Sequence, residues 1–168
     1  NTLIEDFIVD IGDHTLVCDT EPKLRYTLHM LEGGVAKVDE EYIVLNNDEK
    51  VQYILSTFGD TTDTVIMYNY KAELTKLSKY FSNAILLQAT SYAEGIDLSM
   101  HDNLVIYSQD FSTARHTQRR ARQCNINRDT PITVHHLLVK KATSHQVYKT
   151  VAVNKKNFVD SVFTRDKL

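Results

Sequence analysis

The sequence is short of several things that would assign it quickly. Its formal charge is only −3, so it carries no global basic field, and contact with a polyanion would have to come from a local patch. Its two cysteines, Cys18 and Cys124, are far apart and form no CxxC, which reads as two unpaired thiols in a reducing compartment and excludes a disulfide scaffold. Its longest apolar run is far too short for a membrane span. No repeat or low-complexity linker interrupts it. The seven histidines include the pair His135-His136, but neighbours on a strand face opposite ways, so the pair predicts no metal site. The chain opens on Asn1 without a methionine or a signal-like segment, as if cut from something longer.

What remains is ordinary for a soluble globule: 168 residues, 42% hydrophobic and 24% charged, enough for one core. Phe7, Val9 and Ile11 alternate up to Gly12-Asp13, and with residues 15–18 they predict a β-hairpin. Pro22 suits a first helical turn, and Leu24, Leu28 and Leu31 share a face before Gly33-Gly34, predicting a helix over 22–32. Residues 35–45 predict a second hairpin turning at Asp39-Glu40. Asn47 or Asp48 then caps a helix carrying Val51, Ile54, Leu55 and Phe58.

From Thr64 the pattern changes. Apolar runs at 64–68, 85–87, 104–107 and 132–138 alternate with helical segments, which argues for βαβ units and a parallel sheet. The last helix is predicted over 144–163, with Val147, Val151, Phe158, Val162 and Phe163 near one face. The fold class expected is therefore α/β, with a mainly parallel sheet flanked by helices and a hairpin lead-in. Such sheets bind ligands at the carboxyl ends of their strands. The stretch to watch is thus 85–128, where a polar, Gly-containing loop follows one strand and residues 113–124 follow the next. Arg115, Arg119, Arg120 and Arg122 crowd into that helix, and no acidic residue is expected to answer them.

The order of these segments resembles the second RecA-like motor domain of superfamily 2 helicases, most of all the Swi/Snf-type ATPases and their bacteriophage relatives. Residues 64–70, Thr-Val-Ile-Met-Tyr-Asn-Tyr, resemble motif IV. Ala89-Thr90 through Gly95-Ile96-Asp97-Leu98 resembles motif V, and Gln118-Arg119-Arg120-Ala121-Arg122 resembles motif VI. The resemblance covers residues 50 to 165. It implies a lead-in over 1–45 and a motor domain over 46–168.

It also implies roles. Asn69, Tyr70, Lys71, Thr90 and Ser91 would grip a nucleic-acid backbone, DNA or RNA, because small hydroxyl-bearing loops can approach phosphates closely. Glu94, Gly95 and Asp97 would face the nucleotide. Arg122 would be the arginine finger, since a planar, permanently charged fork suits a transferring phosphoryl group, and Gln118 would help sense the γ-phosphate. The generic reading of the same residues is a βα turn with Asp97 as a helix cap, and a solvated basic helix face that suits Arg119 or Arg120 better than Arg122. The chain departs from the motif at Ala121, where glycine or aspartate is usual, and at Asn125, where a second arginine is expected and which Arg128 could replace.

None of the five glycines opens a GxxxxGK[ST] loop, and no strand ends in an acidic Mg²⁺ motif. ATP and Mg²⁺ would therefore be bound mainly by an N-terminal RecA-like domain of the same polypeptide. The compartment implied is the cytoplasm, of a bacterial host for a phage-encoded chain. The competing class is a non-catalytic, flavodoxin-like α/β domain that binds a protein or a small anion. Strand order, the presence of the lead-in hairpins and the direction of Arg122 relative to the carboxyl ends of the strands are the expected discriminators.

Overall fold

In a computed structural model, residues 2–89, 98–121, 130–159 and 162–163 are described. The chain begins with a short helix α1 (Thr2–Asp6) and an antiparallel hairpin, β1 (Ile8–Ile11) and β2 (His14–Val17), in which Ile8 faces Val17 and Ile11 faces His14. Helix α2 (Glu21–Glu32) follows, with the Thr20 hydroxyl accepting from the Lys23 amide at 3.4 Å and Pro22 in the first turn. A second hairpin, β3 (Val35–Val38) and β4 (Glu41–Val44), completes the expected lead-in.

Gly34 is what lets α2 run straight into β3. Its φ of +71 is left-handed, and a Cβ there would collide with the Asn47 carbonyl oxygen and stand 2.7 Å from Lys76 Nζ. Lys76 is itself fully buried, donating to Leu45 O at 2.8 Å and to Asp48 at 2.5 Å.

Helix α3 (Glu49–Phe58) leads into four parallel strands: β5 (Thr64–Tyr68), β6 (Ile85–Gln88), β7 (Asn103–Ile106) and β8 (Thr133–His136). Helix α4 (Lys71–Leu77) lies between β5 and β6, and α5 (Thr113–Ala121) between β7 and β8. Alternation along the central strands divides the apolar residues between two faces. Ile66, Tyr68, Val105 and Tyr107 pack with Val51, Ile54, Leu77 and Phe81, whereas Val65, Met67, Leu104 and Ile106 pack with Leu87 and Leu98. β5 is buried along its whole length, as a strand covered on both faces must be. The result is an α/β, RecA-like arrangement with an antiparallel lead-in.

The sheet order is β6-β5-β7-β8. Numbered within the parallel sheet this is 2-1-3-4, which flavodoxin-like sheets also have. Strand order therefore does not divide the two fold readings, contrary to expectation, and the lead-in hairpins are the distinguishing feature.

The carboxyl-terminal segment departs from the expected single helix. Helix α6 covers only Thr143–Tyr148, a π-helical turn covers Lys149–Val153, and no regular helix continues over 154–159. The cause is in the sequence: Asn154-Lys155-Lys156-Asn157 offers no apolar residue to the core for a full turn. The chain bends at Lys155, φ +56, and Phe158 re-enters with its amide on Phe111 O at 2.8 Å. The apolar positions are nonetheless buried as expected, Val147, Val151, Phe158 and Phe163 joining Leu3, Leu16, Cys18 and Leu24 in one cluster. Glu32 completes this union by accepting from the first amides of α6, Thr143 at 2.7 Å and Ser144 at 3.0 Å. Cys18 is a buried free thiol, and Cys124 lies outside the described residues.

Candidate functional site: the crevice between β5 and β7

The chain leaves β5 for β6 on one side and returns to β7 on the other, so the carboxyl ends of β5 and β7 flank the point where the winding reverses. Open α/β sheets bind ligands at that point. Here it opens into a crevice of about 230 Å³, lined by Asn69 and Tyr70 after β5, Gln109, Asp110 and Phe111 after β7, Arg115 of α5 and Tyr26 of α2.

Its floor is a polar network in which, among the described residues, only Arg119 Nε and Glu73 Oε1 are buried without a partner. The Asn69 amide nitrogen donates to Ser108 O at 3.3 Å and Gln109 O at 2.6 Å, while its Oδ1 accepts from Arg119. Arg119 also reaches Ser108 O at 3.1 Å and Asp110 Oδ2 at 2.7 Å. Asp110 Oδ1 takes the Ser112 amide at 2.9 Å and Arg115 Nε at 3.0 Å. Burial pushes Arg119 down to about 10, with the Asp110 charge opposing the shift.

Glu73 supports the β5 side, its Oε2 accepting from the Asn69 and Tyr70 amides at 2.9 and 3.0 Å and from the Ser108 hydroxyl at 2.8 Å. Burial raises its pKa against these donors. Behind it, His29 Nδ1 pairs with the Tyr70 hydroxyl at 2.9 Å, and burial, reinforced by the Lys50 and Arg119 charges, lowers His29 to about 3.

Two expectations about the arginines are corrected here. An acidic residue does answer them: Asp110 pairs with both Arg115 and Arg119. Arg119 is not on a solvated face but is buried. Asp110 escapes a sequence search because it lies before the helix, five and nine residues from its partners, outside the i,i+3 and i,i+4 spacings of helical pairs. Tyr26 and Phe111 leave no signal beyond being aromatic, since only tertiary packing brings them to the crevice.

Of the expected site residues, Asn69 and Tyr70 line the crevice, with their polar groups bonded internally as above. Lys71 and Gln118 are exposed. Arg122, Arg128, Thr90, Ser91, Glu94, Gly95 and Asp97 lie outside the described residues. The adjacent histidines go to different helices, His135 against Phe58 of α3 and His136 against His116 of α5. Among the described residues no group of three or more His, Cys, Asp or Glu could hold a metal ion, and no helix is long and apolar enough to cross a membrane.

No protein-family model matches the chain, and no curated protein does. Among solved structures it is similar to the crystal structure of the C-terminal part of the Fun30 ATPase domain, at 16% identity and a TM-score of 0.40, over 60% of this chain and 34% of that one. The chain thus spans about a third of the length of that structure.

Proposed function

We propose that residues 46–168 form the second motor domain of an ATP-dependent helicase or translocase, preceded by a lead-in over 1–45. The observation that supports this reading most is the clamp on α5. Buried Arg119, bonded to Ser108, Asp110 and Asn69 at once, fixes the arginine-bearing helix to the carboxyl edge of the sheet and leaves Gln118 on its exposed side. A finger three residues further along the chain needs a fixed mount before it, because a displacement of about 1 Å can cost roughly 10²-fold in rate.

In this reading ATP is the substrate, held with its Mg²⁺ mainly by a preceding motor domain. Arg122 meets the charge on the transferring phosphoryl group, Gln118 senses the γ-phosphate, and Glu94, Gly95, Asp97 and Arg128 face the nucleotide. Asn69, Tyr70, Lys71, Thr90 and Ser91 hold the nucleic-acid backbone, and closure of the two domains on each ATP moves one grip relative to the other. With most polar groups of Asn69 and Tyr70 bonded internally, Lys71 is the member of the described grip whose charge is presented to solvent.

The test is kinetic, in a polypeptide carrying both motor domains. Arg122→Ala is expected to cut kcat by roughly 10³ to 10⁵ while ATP affinity stays near wild type, and lysine should rescue little. Silent Arg122→Ala and Arg128→Ala variants would remove the motif VI assignment, and an effect of Arg128→Ala alone would transfer the finger to that residue.

A further inference from the structure

The crevice has two aromatic walls, Tyr26 and Phe111, and a cation, Arg115, that the motor reading does not use. Three aromatic rings from three elements meet there: Tyr26, Tyr70 and Phe111. Tyr26 and Phe111 lie 4.9 Å apart, backed by the buried guanidinium of Arg25 at 5.1 and 5.2 Å from their centroids. Tyr70 is tethered by His29, and Phe111 by the Phe158 amide. Tyr26 nevertheless remains 46% exposed. Tyr26 thus offers a flat ligand an open face on a packed aromatic backing.

The floor narrows the choice of ligand. The Asn69 amide and both Asp110 oxygens are engaged, and Gln109 is bonded to Ile106 O and His136. A ring entering the crevice therefore finds stacking surfaces and few polar groups to read its edge. At about 230 Å³ the space is below the roughly 300 to 1,000 Å³ of drug-sized sites, which suits one ring system. The charge open to solvent is cationic: Arg115 stands at the mouth, whereas Asp110, Glu73 and Arg119 are buried. Arg115 is 52% exposed, and only its Nε is hydrogen-bonded among the described residues.

Resting on the motor reading, we infer that this crevice takes one unstacked base of a nucleic-acid strand on the exposed face of Tyr26, which Phe111 and Arg25 back, with Arg115 meeting the adjoining phosphate. Recognition is by stacking and charge, so it tolerates any base. A free nucleotide carries the same ring and phosphate, and the experiment separates the two sources.

The 168-residue chain is titrated by fluorescence anisotropy with labelled oligothymidylate, with the same oligomer made abasic, and with AMP as competitor. Stacking on one aromatic is worth about 1 to 3 kcal/mol, so Tyr26→Ala should weaken oligothymidylate binding by roughly 5- to 150-fold. It should leave the abasic oligomer unchanged, with Tyr26→Phe retaining wild-type affinity and Arg115→Ala weakening both oligomers. Equal binding of the two oligomers, or a Tyr26→Ala effect on both, overturns the base pocket while the backbone grip of the motor reading stands. Tyr26-dependent binding of AMP without oligomer binding reassigns the crevice to a free nucleotide and also overturns it. Binding of neither takes down the pocket and the grip together.

Discussion

Arg119 and Asp110 form an ion pair at the floor of the crevice, Nη2 to Oδ2 at 2.7 Å, with side chains only 3% and 4% exposed. Removing Asp110 strands the buried Arg119 guanidinium, which typically costs about 3 to 5 kcal/mol, whereas removing Arg119 leaves Asp110 its bonds to Arg115 and the Ser112 amide. Asp110→Asn should lower Tm by roughly 6 to 20 °C in a chain of this size, and Arg119→Met by less, because Arg115 still pairs with Asp110. The double variant should lose less than the sum, because no charge is then left buried alone. Strict additivity in a double-mutant cycle would show that the two do not act as a pair.

The buried His29 predicts a pH dependence. Its folded pKa is about 3, below the roughly 6.5 of an unfolded chain, so the stability it contributes is present above that value and lost as pH falls toward 3. The unfolded state gains a proton in this window and the native state does not, at about 1.4 kcal/mol per pH unit. Glu32 and Glu73, whose pKa values burial raises, act in the opposite sense, because their desolvation penalty is relieved as they protonate. The comparison is therefore with His29→Asn, which retains a group near the Nδ1 position facing Tyr70. From about pH 7.5 to about pH 5 the wild type should lose roughly 2 kcal/mol more than the variant in urea unfolding. Parallel stability curves would remove His29 as the cause.

Two glycines separate backbone strain from collision. Gly12 has φ +60 with nothing within 4 Å of where a Cβ would stand, whereas at Gly34, φ +71, a Cβ would meet Asn47 O and Lys76. Alanine at Gly12 should cost only the left-handed penalty of about 1 to 2 kcal/mol. At Gly34 the overpacking adds about 1 to 3 kcal/mol more. Equal losses in urea melts would mean that the α2–β3 junction yields more readily than its contacts indicate.

Much of this architecture is legible in the sequence because it is encoded locally. The apolar runs at β5 and β7, the alternation of both hairpins and the helix start at Pro22 each carry their own signal, and the carboxyl edge of the sheet follows from strand–helix alternation. What the sequence hides depends on tertiary placement. Asp110 reaches its arginines across a loop, and Tyr26 becomes a crevice wall only because α2 packs beside Phe111. The last helix reads as longer than it is because Phe158 and Phe163 fall near helical spacing, although the polar tetrad at 154–157 gives a helix nothing to bury.

The contact of Glu32 with the first amides of α6 bears on how the chain is made. Thr143 follows Glu32 by 111 residues, and the cluster of Leu3, Leu16 and Leu24 is completed only by Val147, Val151 and Phe158. At about 5 to 20 residues per second on the ribosome, α2 waits roughly 6 to 22 s for the amides that it caps. The hairpins, which form in about 1 to 10 μs, are paired long before then, with their apolar side uncovered. For that interval the apolar side of the nascent lead-in stands open, and its core closes only when residues 143–158 arrive.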